Sequence, residues 1–488
     1  MTISLSGPAA CMCRHSNSAR PGSGLDHSSN KEDEMTSNVV ETRLPRSNTS
    51  RLSNEAERPT AAADQFSCAK QLAESLLSER GEASGALLAR ELHGVLRGLN
   101  AGDRHGFQRY LATKFQPDTA ALRVAAERYL ADTTAEAATA LAQAADPPRQ
   151  ELLRRMNMAP GGTGTLIAMR SEITAHLRHE PELKLLDADL KHLFASWFNR
   201  GFLELRRIDW QSPAAVLEKL IAYEAVHAIK GWDDLRRRLA PDRRCFAFFH
   251  PALPGEPLIF VEVALVEGLA TSISPLLSQD VEEDTARAQA AGADTAIFYS
   301  ISNCQDGLRG VSFGNFLIKQ VVEELQTDFP QLKRFSTLSP VPGFRRWLTR
   351  QLAEESNPDA ALLPKLARDG WWHDPEQSEP LRAALMRLCA TYLTRRASPG
   401  NRIDPVARFH LGNGARLEQI NWLGNTAPRG IQESFGIMVN YLYDIETIES
   451  NHEAFVNDGT VMRSADVDAL LAAEHGVEPG VLRKHTTP

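Results

Sequence analysis

An all-helical bundle followed by a mixed α/β domain is the architecture this sequence predicts, on three observations. From about residue 65 to 204, Leu and Ala recur three and four apart, as in "CAKQLAESLLSERG" and "SGALLARELHGVLRGLN", the spacing of an amphipathic helix face. After about residue 205, β-branched and aromatic runs take over, "CFAFFHP", "LIFVEVAL" and "TAIFYSIS", and these read as strands. The strands flank one long amphipathic helix, "FLIKQVVEEL", so both periods occur within one domain.

In chain order, residues 1–64 are rich in Ser, Asn, Arg and Pro and are expected to be a disordered tail. The helical domain, 65–204, has Asp118 as N-cap of "TAALRVAAERYL" and a loop at "MAPGGTGT", 158–164. Bundles with such seams serve oligomerisation or packing. The domain expected at 205–474 opens with strands at 245–251 and 258–265, joined through "ALPGE" as a hairpin, then a strand at 295–302. A turn and helix, a strand at 334–340 and a helical insert at about 345–400 follow. Strands at 406–414, 417–424 and 437–444 complete the domain, and 475–488 is a C-terminal tail.

Composition narrows the function. The 488 residues are 42% apolar and 24% charged with a net charge of −8, which argues against nucleic acid or an anionic membrane as partner. No apolar run approaches the roughly 20 residues of a membrane span. Six scattered cysteines without a CxxC suit free thiols in a reducing compartment. Without HExxH or a dense His/Cys/carboxylate cluster, no metal is expected. The acidic "NKEDE" group does not suit a transit peptide, and the terminal "RKHTTP" is no peroxisomal signal. The expected location is the cytoplasm.

One turn bears on chemistry. In "LRGVSFGNFLIKQVVEEL", residues 308–325, small residues at 310, 312 and 314 precede the helix. Converging backbone amides and the helix dipole at such a place suit a pyrophosphate. Alone, the turn reads first as an ordinary strand-to-helix connection and second as a phosphate site. Phe313, Leu317 and Val321, with Ile318, Val322 and Leu325, are expected to face the sheet.

The spacing Arg309-x-x-Ser312-x-Gly314 resembles the Arg/Gln-x-x-Gly-x-Gly/Ala signature of the GNAT acyltransferase superfamily, with Ser312 standing where glycine is usual. A longer series resembles the malonyl-CoA decarboxylase family within that superfamily. Its members are "EAVHAIKGWDDLRRRL", "PGEPLIFVEVAL", "AIFYSIS", "GNFLIKQVVEELQTDFPQLKRFSTLSPVPGF", "PVARFHLGNGA" and "INWLGNTAPRGIQESFGIMVNYLYD". The resemblance spans roughly residues 220 to 445 and implies a GNAT-like acyl-CoA-binding domain behind an oligomer-forming helical one. It places acyl-CoA binding on Arg309, Gly310, Val311, Ser312, Phe313, Gly314 and Asn315. It makes Ser339 and His410 the catalytic pair and puts Ser300 and Tyr443 in the pocket. The implied partners are a small-molecule acyl-CoA and further copies of the chain.

The implied chemistry is loss of CO₂ from malonyl-CoA. The thioester carbonyl is its own electron sink, so no metal or organic prosthetic group is called for. A histidine near its ordinary pKa would supply the proton. Without the resemblance the residues read otherwise. His410, following Phe409, would be a histidine at a strand end, Ser339 a turn residue before Pro340, and Tyr443 a packing residue. His227, expected on a helix, and His250, at a hairpin end, are rivals to His410. Two other functions fit the same turn: an N-acyltransferase, revealed by an accelerating acceptor amine, and a CoA sensor, revealed by binding without turnover.

Overall fold

The computed structural model describes residues 61–278, 281–311, 317–353, 359–395 and 403–472. Contacts divide the chain after Arg58, and all these residues belong to the second unit, Pro59–Pro488. The expected tails lie outside the described residues, except that 61–64 open the first helix.

Eight helices come first: α1 (Ala61–Leu77), α2 (Glu79–Gly98), α3 (Ala101–Lys114), α4 (Thr119–Ala131), α5 (Ala135–Ala145), α6 (Pro148–Asn157), α7 (Gly162–His176) and α8 (Leu183–Trp197). Asp118 caps α4 by accepting the N–H groups of Ala120 and Ala121. Asn100 and Thr134 cap α3 and α5 in the same way, each contact worth ~1 kcal/mol. The expected loop at 158–164 is shorter. Gly161 turns the chain at φ 77°, and α7 already begins at Gly162. Apolar stripes carrying Leu92, Phe107, Leu152, Leu166 and Phe194 meet in the core.

The second part contains β1 (Glu204–Ile208), α9 (Ala214–Tyr223), α10 (Trp232–Arg238), β2 (Arg243–Phe249), β3 (Pro257–Val266), α11 (Ser274–Leu277), α12 (Glu283–Gly292) and β4 (Thr295–Asn303). After α13 (Leu317–Asp328) come β5 (Arg334–Thr337), β6 (Ser339–Pro340), α14 (Phe344–Leu352), α15 (Leu363–Leu366), α16 (Pro375–Thr394) and α17 (Pro405–Gly412). The remainder is β7 (Arg416–Asn421), α18 (Pro428–Ser434), β8 (Met438–Tyr443), α19 (Ile448–Asp458) and α20 (Ala465–Ala472).

The strands form one sheet in the order β1-β2-β3-β4-β5-β8-β6, with β7 also on β8. β4 and β5 are parallel, and the other pairs are antiparallel. Both faces are covered, which explains the unbroken apolar runs. On β2, Phe246 and Phe248 join the core shared with α1, α2, α3, α6, α7 and α8, while Cys245, Ala247 and Phe249 pack with Val216, Leu217 and Leu220 of α9. That alternation is the two-residue period of a strand. On α13, Leu317, Ile318, Val321, Val322 and Leu325 are buried as expected, and Phe313 lies outside the described residues.

Two expectations are overturned. Residues 406–414 are not a strand, because 405–412 form α17. Asp404 accepts the N–H groups of Val406 and Ala407, and Pro405 sits at the first position. This start signal prevails over the β-like composition, and the buried residues Ala407, His410 and Leu411 follow helical spacing. His227 is not on a helix either. The Glu224 carboxylate accepts the N–H groups of Val226 and His227, which ends α9 before it reaches them.

Candidate active site

The site lies where two parallel strands part. β4 and β5 pair from Thr295↔Arg334 to Phe298↔Thr337, and the Leu338 N–H still donates to the Phe298 carbonyl. Beyond that point β4 stays with β3, through Ser300↔Glu262 to Asn303↔Ile259. The other strand turns to β8, through Ser339↔Val439 and Pro340↔Met438. The β3–β4 register shifts here, leaving Tyr299 as the extra residue on β4, a device that bends a strand. The parting opens a cavity of about 620 Å³. Its walls include Ser300 and Ile301 on one side, Ser339 and Pro340 on the other, and Val406, Arg408, Phe409 and His410 of α17.

Three of the expected residues form one chain of hydrogen bonds. His410 Nε2 is 3.1 Å from Ser339 Oγ, and His410 Nδ1 is 2.8 Å from Tyr443 Oη. The Ser339 hydroxyl donates to Thr337 Oγ1 at 2.9 Å, and Thr337 Oγ1 also accepts the Tyr441 N–H at 3.2 Å. The Tyr441 ring stacks on the His410 imidazole, with centroids 4.7 Å apart. Ser339, His410 and Tyr443 are all buried. Tyr443 is not a cavity wall but stands behind the imidazole.

Burial sets the protonation states. Desolvation pushes His410 down to about 3, because an imidazolium here would lose its water without gaining a counter-charge. The expectation of an ordinary histidine pKa is therefore corrected: His410 is neutral in the unliganded protein. Burial also pushes the Tyr443 phenol well above its usual value, so it keeps its proton. The Ser339 hydroxyl gives its one proton to Thr337, so it accepts from His410; the imidazole proton therefore sits on Nε2, facing Ser339 and the cavity, and Nδ1 accepts from Tyr443.

Arg309, Gly310 and Val311 line the same cavity. Arg309 is exposed and pairs with Asp306 at 2.8 Å. Ser312, Phe313, Gly314 and Asn315 lie outside the described residues. Ser300 is a wall, and its hydroxyl donates to the buried Glu224 carboxylate, at 2.7 and 2.8 Å to the two oxygens. Ser302 donates to the same carboxylate at 3.0 Å. Neither rival histidine lines the cavity. His227 is buried, with desolvation taking it to about 4, and His250 is in the β2–β3 turn, 3.1 Å from the Trp197 carbonyl.

Sequence reasoning missed Glu224, Thr337, Tyr441 and Arg408. Arg408, two residues before His410 on α17, brings a cation to the cavity. Glu224 and Ser300 are 76 residues apart, and no local pattern marks such a pair. Elsewhere, His105, His176 and Glu180 bring one ligand atom each within 4.8 Å of one another. Glu180 is already 3.0 Å from His105 and 3.6 Å from Arg109, so its carboxylate has partners within the helical part.

Residues 201–479 match the family model described as malonyl-CoA decarboxylase C-terminal domain, and residues 115–198 match the model of its N-terminal domain. The chain belongs to the malonyl-CoA decarboxylase family. A malonyl-CoA decarboxylase, mitochondrial, of Anser anser anser is 40% identical over 353 residues, covering 67% of this chain and 70% of the relative. The Mus musculus protein of the same name is 36% identical over 353 residues, covering 67% and 71%. Among solved structures, malonyl-CoA decarboxylase from Rhodopseudomonas palustris is 49% identical with a TM-score of 0.77, covering 83% of this chain and 99% of the other. The Agrobacterium vitis decarboxylase is 48% identical with a TM-score of 0.75, covering 84% and 99%. The family assignment covers both parts of the fold, and the cavity lies within the segment matched by the C-terminal model.

Proposed function

We propose that the cavity converts malonyl-CoA to acetyl-CoA and CO₂, with Ser339 and His410 as its catalytic residues. The observation that carries this reading is the buried Ser339–His410–Tyr443 chain, facing one cavity with the 309–311 turn. Family membership supports the substrate. The turn from Arg309 through Gly310 and Val311, and on through Ser312, Phe313, Gly314 and Asn315, holds the CoA pyrophosphate, and Arg408 adds a cation beside it. Ser300, held by Glu224, shapes the wall facing the acyl group.

In the reaction the bond between the α-carbon and the carboxylate breaks. CO₂ leaves, and the electron pair passes into the thioester as an enolate. Ser339 turns its one O–H from Thr337 to the malonyl carboxylate or to the thioester oxygen. The enolate then takes one proton at the α-carbon, so the net reaction consumes one proton. His410 delivers it. Its neutral resting state suits this role, because a malonyl carboxylate entering the dry cavity favours imidazolium and draws in a proton with the substrate. The thioester is the electron sink, and no metal or prosthetic group takes part.

The chemistry belongs to the GNAT-like 205–474 segment and self-association to 65–204. α4 buries none of its residues and exposes Val124 and Leu130, a surface suited to a second copy of the chain and checked by light scattering. Among the described residues no helix is long and apolar enough to cross a membrane. The unpaired thiols of Cys68, Cys245, Cys304 and Cys389 suit a reducing compartment, and a cytoplasmic setting is part of the proposal. The reaction is tested by proton NMR of malonyl-CoA in D₂O with and without acceptor amines. Acetyl-CoA carrying one methyl deuterium, at a rate indifferent to amines, is expected. Free CoA with a malonyl amide would instead establish an acyltransferase.

A further inference from the structure

Arg170 lies on α7, far in sequence from the cavity, and is 1% exposed. Its guanidinium donates to the carbonyls of Gly307, at 2.5 Å, and Arg309, at 2.9 Å. Its Nε donates to Asp187 of α8 at 2.8 Å, and Lys191 steadies the same carboxylate at 2.7 Å. The approach is close: a Cβ on Gly307 would lie 2.0 Å from the Ile167 carbonyl oxygen of α7. In a trans peptide the C=O and the following N–H point in opposite directions. Fixing the Arg309 carbonyl therefore turns the Gly310 N–H away from Arg170. Gly310, at φ 76°, lines the cavity.

We infer that Arg170 is a positioning residue for acyl-CoA: it sets the peptide planes of the 307–310 turn from the helical part, so that the amides are aimed before substrate arrives. The inference rests on the reading that this turn holds the CoA pyrophosphate. A buried ion pair adds little net stability over apolar packing, whereas a planar fork of donors orients two carbonyls at once. Preorganisation of this kind strengthens binding by removing the ordering cost from the encounter. The helical part thus contributes to ligand binding as well as to packing.

The test uses the full chain with Arg170→Met/Asp187→Asn, which removes both buried charges and leaves Lys191, half exposed, to solvent, and Gly307→Ala, which displaces the turn without altering charge. CoA affinity is measured by calorimetry, steady-state kinetics by malonyl-CoA turnover, and folding by circular dichroism. KM and the CoA Kd are expected to rise about tenfold with kcat within about twofold, the pattern of lost uniform binding. If the double variant fails to fold, Arg170→Lys carries the test, since it keeps the charge but not the fork. Gly310→Val strains the turn directly and separates the two readings. If it leaves CoA affinity intact, the turn reading fails and this inference with it. If it weakens CoA while folded Arg170 variants do not, the inference alone fails.

Discussion

His410 shows how burial decides chemistry at the scale of a residue. The imidazole touches Ser339 and Tyr443 and stacks on Tyr441, and no carboxylate offsets its desolvation. Replacing it with Ala is expected to lower kcat by about 10²-fold or more, the usual range for a general acid. Ser339→Ala should lower kcat with little change in melting temperature, and Tyr443→Phe should have a smaller effect, since it removes only the bond to Nδ1. Steady-state kinetics with melting curves check all three. Ser339 and His410 were singled out only through the resemblance, since serine before proline and a lone histidine are ordinary. Thr337, Tyr441 and Glu224 were not legible, because what makes them matter is a partner brought in by the sheet.

At the scale of an element, α17 carries His410 to the cavity. Asp404 caps this helix and also accepts the Gly343 N–H at 3.1 Å and the Tyr392 hydroxyl at 3.0 Å. It thereby ties α17 to the start of α14 and to α16. Asp404→Ala is expected to reduce stability by ~1–3 kcal/mol, from a lost cap and two orphaned donors. It should also lower kcat by loosening His410, and denaturant titration with kinetics measures both effects. The strands β2, β3, β4 and β8 were legible because their apolar runs are long and bounded. α17 was misread because Val406, Phe409 and Leu411 favour a strand, while the Asp404–Pro405 start was overlooked. The parting of β4 from β6 was beyond local reading, as it depends on β8 some hundred residues further on.

For the whole molecule, the helical part and the sheet share one core, from Leu92 and Phe194 to Phe248 and Phe298. They are expected to melt in a single transition, and calorimetry resolving two would contradict this. The buried histidines make stability depend on pH. His410 and His227 are lowered to about 3 and about 4 in the folded chain, so the unfolded chain binds their protons more tightly. Above pH ~6.5 neither protonation opposes folding, and stability falls as pH drops from ~6.5 towards those values, by up to ~1.4 kcal/mol per pH unit for each group. Melting temperatures between pH 7.5 and 5 should decline accordingly, and less steeply in His227→Gln. At this scale, helices before a mixed sheet were legible from periodicity. The continuity of their core was not, because a hydrophobic stripe does not name the surface that covers it.

The most direct test of the account is to incubate the purified chain with malonyl-CoA and excess chelator, without added cofactor, and to follow acetyl-CoA and CO₂ by mass spectrometry beside His410→Ala and Ser339→Ala. The account predicts equal amounts of acetyl-CoA and CO₂ from the wild-type chain, and almost none from either folded variant. Malonyl-CoA that binds but remains intact, or variants that turn it over as fast as the wild type, would contradict it.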